Sequence, residues 1–558
     1  MSYIIGSYSS NGVWNKTKIT FAPVVLETEK ILLAFEEQSV IKFYDDDGTL
    51  NIITGTGLDN NLKLLTENDW KNILLNETDH LDLNGHYLVI KVGSDEVTFY
   101  NDQLGLREVY FYENNGNILF STRLDWIIKL IEAPELDYKF LCSFWSFENP
   151  LTESTFCQGI KLLGPGGKAR ITKKGLSIAN KSWFPEKLDV NRADVINLIS
   201  QTIDSILQTD RITNLGLSGG IDSRTILAFL LDYDNKLWRT TTFGQKTYAD
   251  VRIANSMAKR LKFHHTNHSC KPFFSDNLFG NWADFSLETN GLLPADFYHE
   301  LSYYKMLPKD EFFIDGGKGA YIRRGLSNKL SILGKNDLLS GNIDGIKKYL
   351  YSPKPPIFNQ DVTENWSKYH SEDVSQVVNS MPVPLEFGVE NWVDLYNIRF
   401  RTGNASYPSQ TRLDSYVQNL MPFNQPRILS AVLNLPYSDR SNEKINREIL
   451  NKKRILKLFP LARYNTVIPY QHNKYTCFVW GKLMRLIYKD KQRNHRAFIE
   501  ANKEFILSRM KDTDFINNPI YEKKRIRDKV NAYFLGKSND TGFIIWWMTF
   551  DVWNRLFY

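Results

Sequence analysis

Leu215-Gly216-Leu217-Ser218-Gly219-Gly220-Ile221-Asp222-Ser223 decides the fold. A short apolar run ends in a glycine-rich turn. Ile226, Leu227, Phe229, Leu230 and Leu231 then recur at helical spacing, so the stretch reads strand, turn, helix. In open α/β sheets the carboxyl end of a strand is where ligands bind. Gly219 and Gly220 let the backbone approach a ligand, Ser218 and Ser223 offer hydroxyls, and the helix start presents unpaired N–H groups at the positive end of its dipole. An anion suits such a turn. No Lys follows as in G-x-x-x-x-G-K-S/T, so this is not the loop of the P-loop nucleoside triphosphatases that transfer the terminal phosphate.

Working outward, the unit repeats. Residues 237–243 read as a strand, Gly244 as a turn, and a helix from about Asp250 carries Val251, Ile253, Ala254, Met257, Ala258 and Leu261; residues 262–268 read as a third strand. Upstream, Val195, Ile196, Leu198, Ile199, Ile203, Ile206 and Leu207 form one helical face beginning near Ala193. Alternating β and α elements of this length predict a doubly wound parallel sheet. Beyond residue 320 the pattern is mostly helical. The first 138 residues differ: β-branched and aromatic runs such as 87–92 and 118–121 are broken by Gly93-Ser94 and Asn114-Asn115-Gly116, which reads as hairpins.

The chain has 558 residues, 42% hydrophobic and 24% charged, enough for two or more domains. No run of 18 apolar residues occurs and the first eight residues lack the features of a signal peptide, so a cytoplasmic protein without membrane contact is expected. The apolar stretch 543–548 is soon interrupted by Asp551, Asn554 and Arg555 and is expected to be a buried helix. Cys142, Cys157, Cys270 and Cys477 form no C-x-x-C pair, which argues against structural zinc and disulfides; His264, His265 and His268 read as a strand end. Residues 1–140 hold 11 Lys or Arg against 22 Asp or Glu, and the remainder 58 against 41. The basic part suits an anionic ligand such as a nucleotide. The clusters Lys489, Lys491, Arg493, Arg496 and Lys523, Lys524, Arg525, Arg527 read as solvated helix faces, with docking of an acidic partner as the sharper reading; nucleic acid is not expected.

The signature Ser218-Gly219-Gly220-Ile221-Asp222-Ser223 resembles the S-G-G-x-D-S of PP-loop ATP pyrophosphatases. More widely the chain is similar to the asparagine synthetase family, which includes β-lactam synthetases and lasso-peptide macrolactam synthetases. Asp102, Gly105, Arg107, Tyr110 and Phe120-Ser121 resemble its D-x-x-G-x-R-x-x-Y and F-S segments. Gly159-Ile160, Pro165-Gly166, Trp183, Thr242-Phe243-Gly244, Ala254, Ala258, Met421-Pro422-Phe423, Leu435-Pro436 and Trp553-Asn554-Arg555 extend the likeness. The resemblance implies a multi-domain α/β chain. Residues 1–185 would be a β-rich α+β domain of the Ntn-hydrolase type, similar to class II glutamine amidotransferases. Residues 186–558 would be a doubly wound parallel-sheet synthetase domain with additional helices.

It also implies ATP and Mg²⁺. Ser218, Gly219, Gly220, Asp222 and Ser223 would hold the outer phosphates, Asp222 and Asp315 would face the metal, and Gly244 and Asp250 would lie around the nucleotide. Gly316, Gly317 and Lys318 would form a second phosphate loop. Arg447 and Lys444 would meet charge developing at the α phosphate, and Glu288 would serve as base for the incoming amine.

Three departures stand against the likeness. Where family amidotransferases begin Met-Cys, this chain has Ser2, so thiolate chemistry is absent; serine acts as an amino-terminal nucleophile in other hydrolases, but no glutaminase is expected here. The family's G-x-G-x-D-E segment aligns with residues 314–321 and lacks its acidic pair; Lys318 would contact phosphate as a point charge, or the loop is a weakened relic. The family's K-x-x-x-R becomes Glu443-Lys444-Ile445-Asn446-Arg447, with the Lys one position late and so turned about 100° around the helix.

The implied reaction is amide formation. A small-molecule or peptide carboxylate is activated as an acyl adenylate with release of pyrophosphate, and ammonia or an amine then attacks it. Intramolecular lactam or macrolactam closure and a nucleotide-binding pseudoenzyme are the alternatives, and a homodimer is left open.

Overall fold

The computed structural model describes residues 3–10, 21–35, 40–76, 81–269, 278–322, 329–352, 354–405, 407–463, 466–471, 476, 479–480, 483 and 495–557. Ser2, Cys270, Cys477, Lys489, Lys491 and Arg493 lie outside the described residues.

The hairpin-rich part forms two six-stranded antiparallel sheets. One contains β1 (Ile4–Ser9), β2 (Val24–Glu27), β3 (Ile31–Phe35), β8 (Tyr110–Asn114), β9 (Asn117–Ser121) and β10 (Ile160–Leu162). The other contains β4 (Val40–Tyr44), β5 (Leu50–Leu58), β6 (Asn84–Val92), β7 (Val97–Asn101), β11 (Lys168–Thr172) and β12 (Gly175–Ala179). Alternation along each strand sorts the side chains. Ile4, Tyr8, Leu33, Phe111 and Phe120 of the first sheet meet Ile52, Leu88, Ile90 and Phe99 of the second in a common core. The outer faces are covered by helices, Trp70 and Leu74 of Glu67–Leu75 on one side and Phe140 and Phe144 of Tyr138–Phe147 on the other. The result is a four-layered arrangement, helix on sheet on sheet on helix.

A second unit contains a five-stranded parallel sheet ordered β15-β14-β13-β16-β17, from β13 (Thr213–Gly216), β14 (Trp238–Phe243), β15 (His265–His268), β16 (Phe312–Ile314) and β17 (Gln418–Leu420). The helices α1 (Arg192–Leu207), α2 (Ile221–Leu230) and α3 (Ala249–Leu261) pack on it through Val195, Ile199, Ile226, Leu230, Ile253 and Met257. Strand order reverses between β13 and β16, and at such a switch point the loops leaving the two strands diverge and open a crevice.

The apolar tail segment lies in the helix Thr541–Arg555, whose Trp553 packs on Phe156 with ring centroids 4.6 Å apart. It is buried against the first sheet's helical side, as expected from its interruptions. Among the described residues no helix is long and apolar enough to cross a membrane.

Asp102 folds its own turn, accepting from Leu104 N at 2.9 Å, Leu106 N at 2.9 Å and Arg107 N at 3.1 Å. This presents Arg107, which is buried, to Asp414 of the second unit. Beside it Glu108 accepts from Tyr110 Oη at 2.6 Å and Asn290 Nδ2 at 2.9 Å, and burial pushes its carboxyl up from 4.5 to about 7. Between those values the folded chain holds a proton that the unfolded chain has released. This contribution to stability therefore falls as pH climbs through the window. The stability gained by Glu108→Gln, read as its melting temperature minus that of the parent, is expected to be greater at pH 8 than at pH 5 by roughly 2–4 °C. An equal difference at both pH values would contradict this placement of the proton.

Candidate active site

The crevice at the switch point is built from two loops. The first leaves β13. Gly220 begins α2 with extended backbone (φ −74°, ψ 170°) and no side chain caps the helix, so its opening amides face outward for an anion. The serines shape the turn. Ser223 Oγ accepts from Ser218 N at 3.1 Å and lies 3.0 Å from Ser218 Oγ, which accepts from Gly220 N at 3.1 Å. Gly219 is clamped: a Cβ there would lie 2.9 Å from Ala462 Cβ and 2.9 Å from Ile253 Cδ1. Its N–H donates to Asp250 Oδ1 at 2.8 Å, and its carbonyl accepts from Ala462 N at 2.9 Å. Asp250, in the first turn of α3, thus fixes the backbone of the first loop.

The second loop leaves β16. Gly317 N donates to Asp315 Oδ1 at 2.8 Å. A Cβ on Gly316 would lie 3.1 Å from Ser223 Cα, and one on Gly319 only 2.4 Å from Asp222 Cγ, so the second loop reaches the backbone at Ser223 and the Asp222 side chain only because it carries glycine at both places. Burial raises the Asp315 carboxyl, opposed by the Gly317 N–H and by Lys318. Burial also draws the Lys318 amine down to about 8, against the pull of Asp315. Gly319→Ala is expected to displace Asp222 and, if the chain binds Mg-nucleotide as the resemblance implies, to weaken that binding by about tenfold or more, with a melting temperature close to that of the parent chain. Undiminished binding by calorimetry would show that this contact does not set the Asp222 position.

Among the described residues no group of three or more His, Cys, Asp or Glu could hold a metal alone. Mg²⁺ characteristically takes only one or two carboxylates and completes its shell with phosphate oxygens and water. Asp222 and Asp315, brought beside the Gly317–Gly319 stretch by the contacts above, fit that role.

The other sequence candidates are placed as follows. Gly244 ends β14 with φ +130°, a conformation suited to glycine, and its N–H donates to His268 O at 2.9 Å. Arg447, on the helix α4 (Lys444–Lys452), donates to Tyr470 O at 3.2 Å and to Glu443 Oε2 at 3.2 Å. Lys444 is exposed, whereas Glu443 is buried with φ +63°. The same helix reaches α2 through Asn446 Nδ2, which donates to Thr225 Oγ1 at 3.0 Å. Burial raises the Glu288 carboxyl, and its charged neighbours, Arg123, Arg412, Lys305 and Asp284, belong to neither loop.

Arg224 was not picked out from the sequence. Fully buried, it donates to the carbonyls of Leu456 (3.2 Å), Phe459 (2.8 Å), Pro460 (2.6 Å) and Gly219 (3.2 Å), tying the phosphate loop to a distant segment. Its place directly after the signature was the one available signal.

Residues 194–273, which span the first loop and its flanking helices, match the family described as asparagine synthase. No curated protein matches the chain. Among solved structures it is similar to one described as the allosteric regulatory enzyme of purine biosynthesis, with 9% identity over 50% of this chain and 77% of that one, at a TM-score of 0.20. It is also similar to glutamine phosphoribosylpyrophosphate amidotransferase from B. subtilis complexed with ADP and GMP, with 9% identity over 58% and 71% and a TM-score of 0.20.

Proposed function

We propose, for a chain whose residues 194–273 match the asparagine synthase family, an ATP-dependent carbon–nitrogen ligase that cuts ATP to AMP and pyrophosphate. The observation carrying this reading is the uncapped start of α2 with Asp222 in its first turn, packed directly on the Asp315–Gly319 loop at the switch point. Nothing in either loop offers a covalent nucleophile aligned with a base, so positioning and electrostatics do the work.

The opening amides of α2, with Ser218 and Ser223, hold the outer two phosphates. Mg²⁺, held by Asp222 and Asp315, supplies charge neutralisation at those oxygens when bound. The substrate carboxylate attacks the α phosphorus in line, the bond to the bridging oxygen breaks, and pyrophosphate departs. Ammonia or an amine then attacks the acyl carbon and expels AMP. In this reading the nitrogen comes from solution or from the substrate itself, and no glutamine hydrolysis is required.

Carboxylate-dependent exchange of labelled pyrophosphate into ATP tests the reading. Exchange with at least one member of a panel of amino-acid, sugar and peptide carboxylates is expected. Nucleotide binding without exchange across the panel would favour a pseudoenzyme, a reading to which the missing acidic pair lends weight. Product mass separates intramolecular closure, which loses one water, from amidation, which replaces a hydroxyl by an amino group.

A further inference from the structure

We infer that Lys318, supported by Arg401, is a protein-borne counter-charge for the departing pyrophosphate, so that the site retains affinity for pyrophosphate when no divalent cation is present. This rests on the ligase reading and names the group that performs part of its charge neutralisation.

The placement of Lys318 follows from its neighbours. Gly317 lies against the Asp315 carboxylate and Gly319 against the Asp222 carboxylate, so the residue between them belongs to the wall shared by both loops. Its backbone is left-handed, φ +63°, a region that Gly and Asn enter more readily than Lys. Holding a long cationic side chain on such a backbone has a cost, and costs of this kind concentrate at functional sites. Partial burial adds desolvation, which the Asp315 carboxylate offsets in part and an approaching anion would offset further.

Arg401 is tied to the same loop. Tyr321 N donates to Lys318 O at 3.1 Å, and Tyr321 Oη lies 2.6 Å from Oγ1 of Thr402, the residue after Arg401. Arg401 is exposed, so its contribution is screened and secondary. On the helix α4, Lys444 is exposed and Arg447 donates to Glu443 and to Tyr470 O. In this reading positive charge enters the crevice from the loop after β16. Lysine suits the task because its compact ammonium pairs with phosphate as a point charge.

The test is calorimetric titration of the full chain with inorganic pyrophosphate, once with Mg²⁺ and once with a chelator. The parent chain is expected to bind in both, with an affinity loss on chelation of about tenfold. Lys318→Asn, chosen because Asn tolerates the left-handed backbone, should lose about tenfold or more in the chelator arm. Lys318→Glu should bind only when Mg²⁺ is present, and Arg401→Ala should lose about two- to threefold. Circular dichroism of each variant checks that it is folded. Parent-like binding by folded Lys318→Asn in the chelator arm overturns this inference and leaves the ligase reading intact. Failure of the parent chain to bind pyrophosphate even with Mg²⁺ overturns the ligase reading itself.

Discussion

Asp222→Asn is expected to lower carboxylate-dependent ATP–pyrophosphate exchange by about 10²- to 10³-fold. Asparagine has the shape of aspartate, and at this half-buried position in the first turn of α2 it introduces no clash beyond the existing close approach to Gly319. What it removes is the negative charge that draws a hard cation onto the outer phosphates. The loss should therefore appear as a weakened Mg²⁺ dependence. Nucleotide binding in chelator should stay within a few-fold of the parent, because the amides opening α2 are untouched. Were exchange to survive the substitution, the departing phosphates would not be held at this turn.

The largest effect on stability is expected at Arg224. Its guanidinium is fully buried and donates to four carbonyls, three of them between Leu456 and Pro460 and the fourth on Gly219. Arg224→Met keeps the bulk and removes every donor, leaving buried carbonyls without those bonds at a cost of roughly 3–5 kcal/mol. Thermal unfolding should shift down by roughly 10 °C. Arg224→Lys should recover only part of this, because one ammonium cannot reproduce two forked pairs of bonds. A melting temperature unchanged in Arg224→Met would mean that the segment 456–460 is held to the phosphate loop by other contacts, such as Ala462 N to Gly219 O.

The sequence revealed the features whose causes are local. The turn at Ser218–Ser223, the flanking helices and the strands at 213–216, 238–243 and 265–268 follow from apolar spacing and glycine placement within a short window. Asp102 was noticed through its neighbours Gly105 and Arg107, and the structure shows why they occur together: one carboxylate collects three amides of the same turn. The other half of the parallel sheet was not legible, because β16 and β17 have three residues each, too few to display an alternation.

Long-range pairings were equally hidden. The resemblance implies Asp250 beside the nucleotide; that its carboxylate also accepts from Gly219 N, across two elements, is a pairing no local spacing announces. Arg224 gives no signal beyond its place after the signature, because three of its four partners lie more than 230 positions away. Glu443 was read only as a displaced register; in the folded chain it meets Arg447 one helical turn later.

The most direct measurement uses ¹⁸O. A substrate identified by exchange is labelled in its carboxylate and turned over with ATP and an amine, and the nucleotide and phosphate products are weighed by mass spectrometry. Attack on the α phosphorus carries one labelled oxygen into AMP and leaves pyrophosphate unlabelled, which is the predicted result. ADP together with labelled inorganic phosphate would instead place the attack on the terminal phosphorus and contradict the account at its centre.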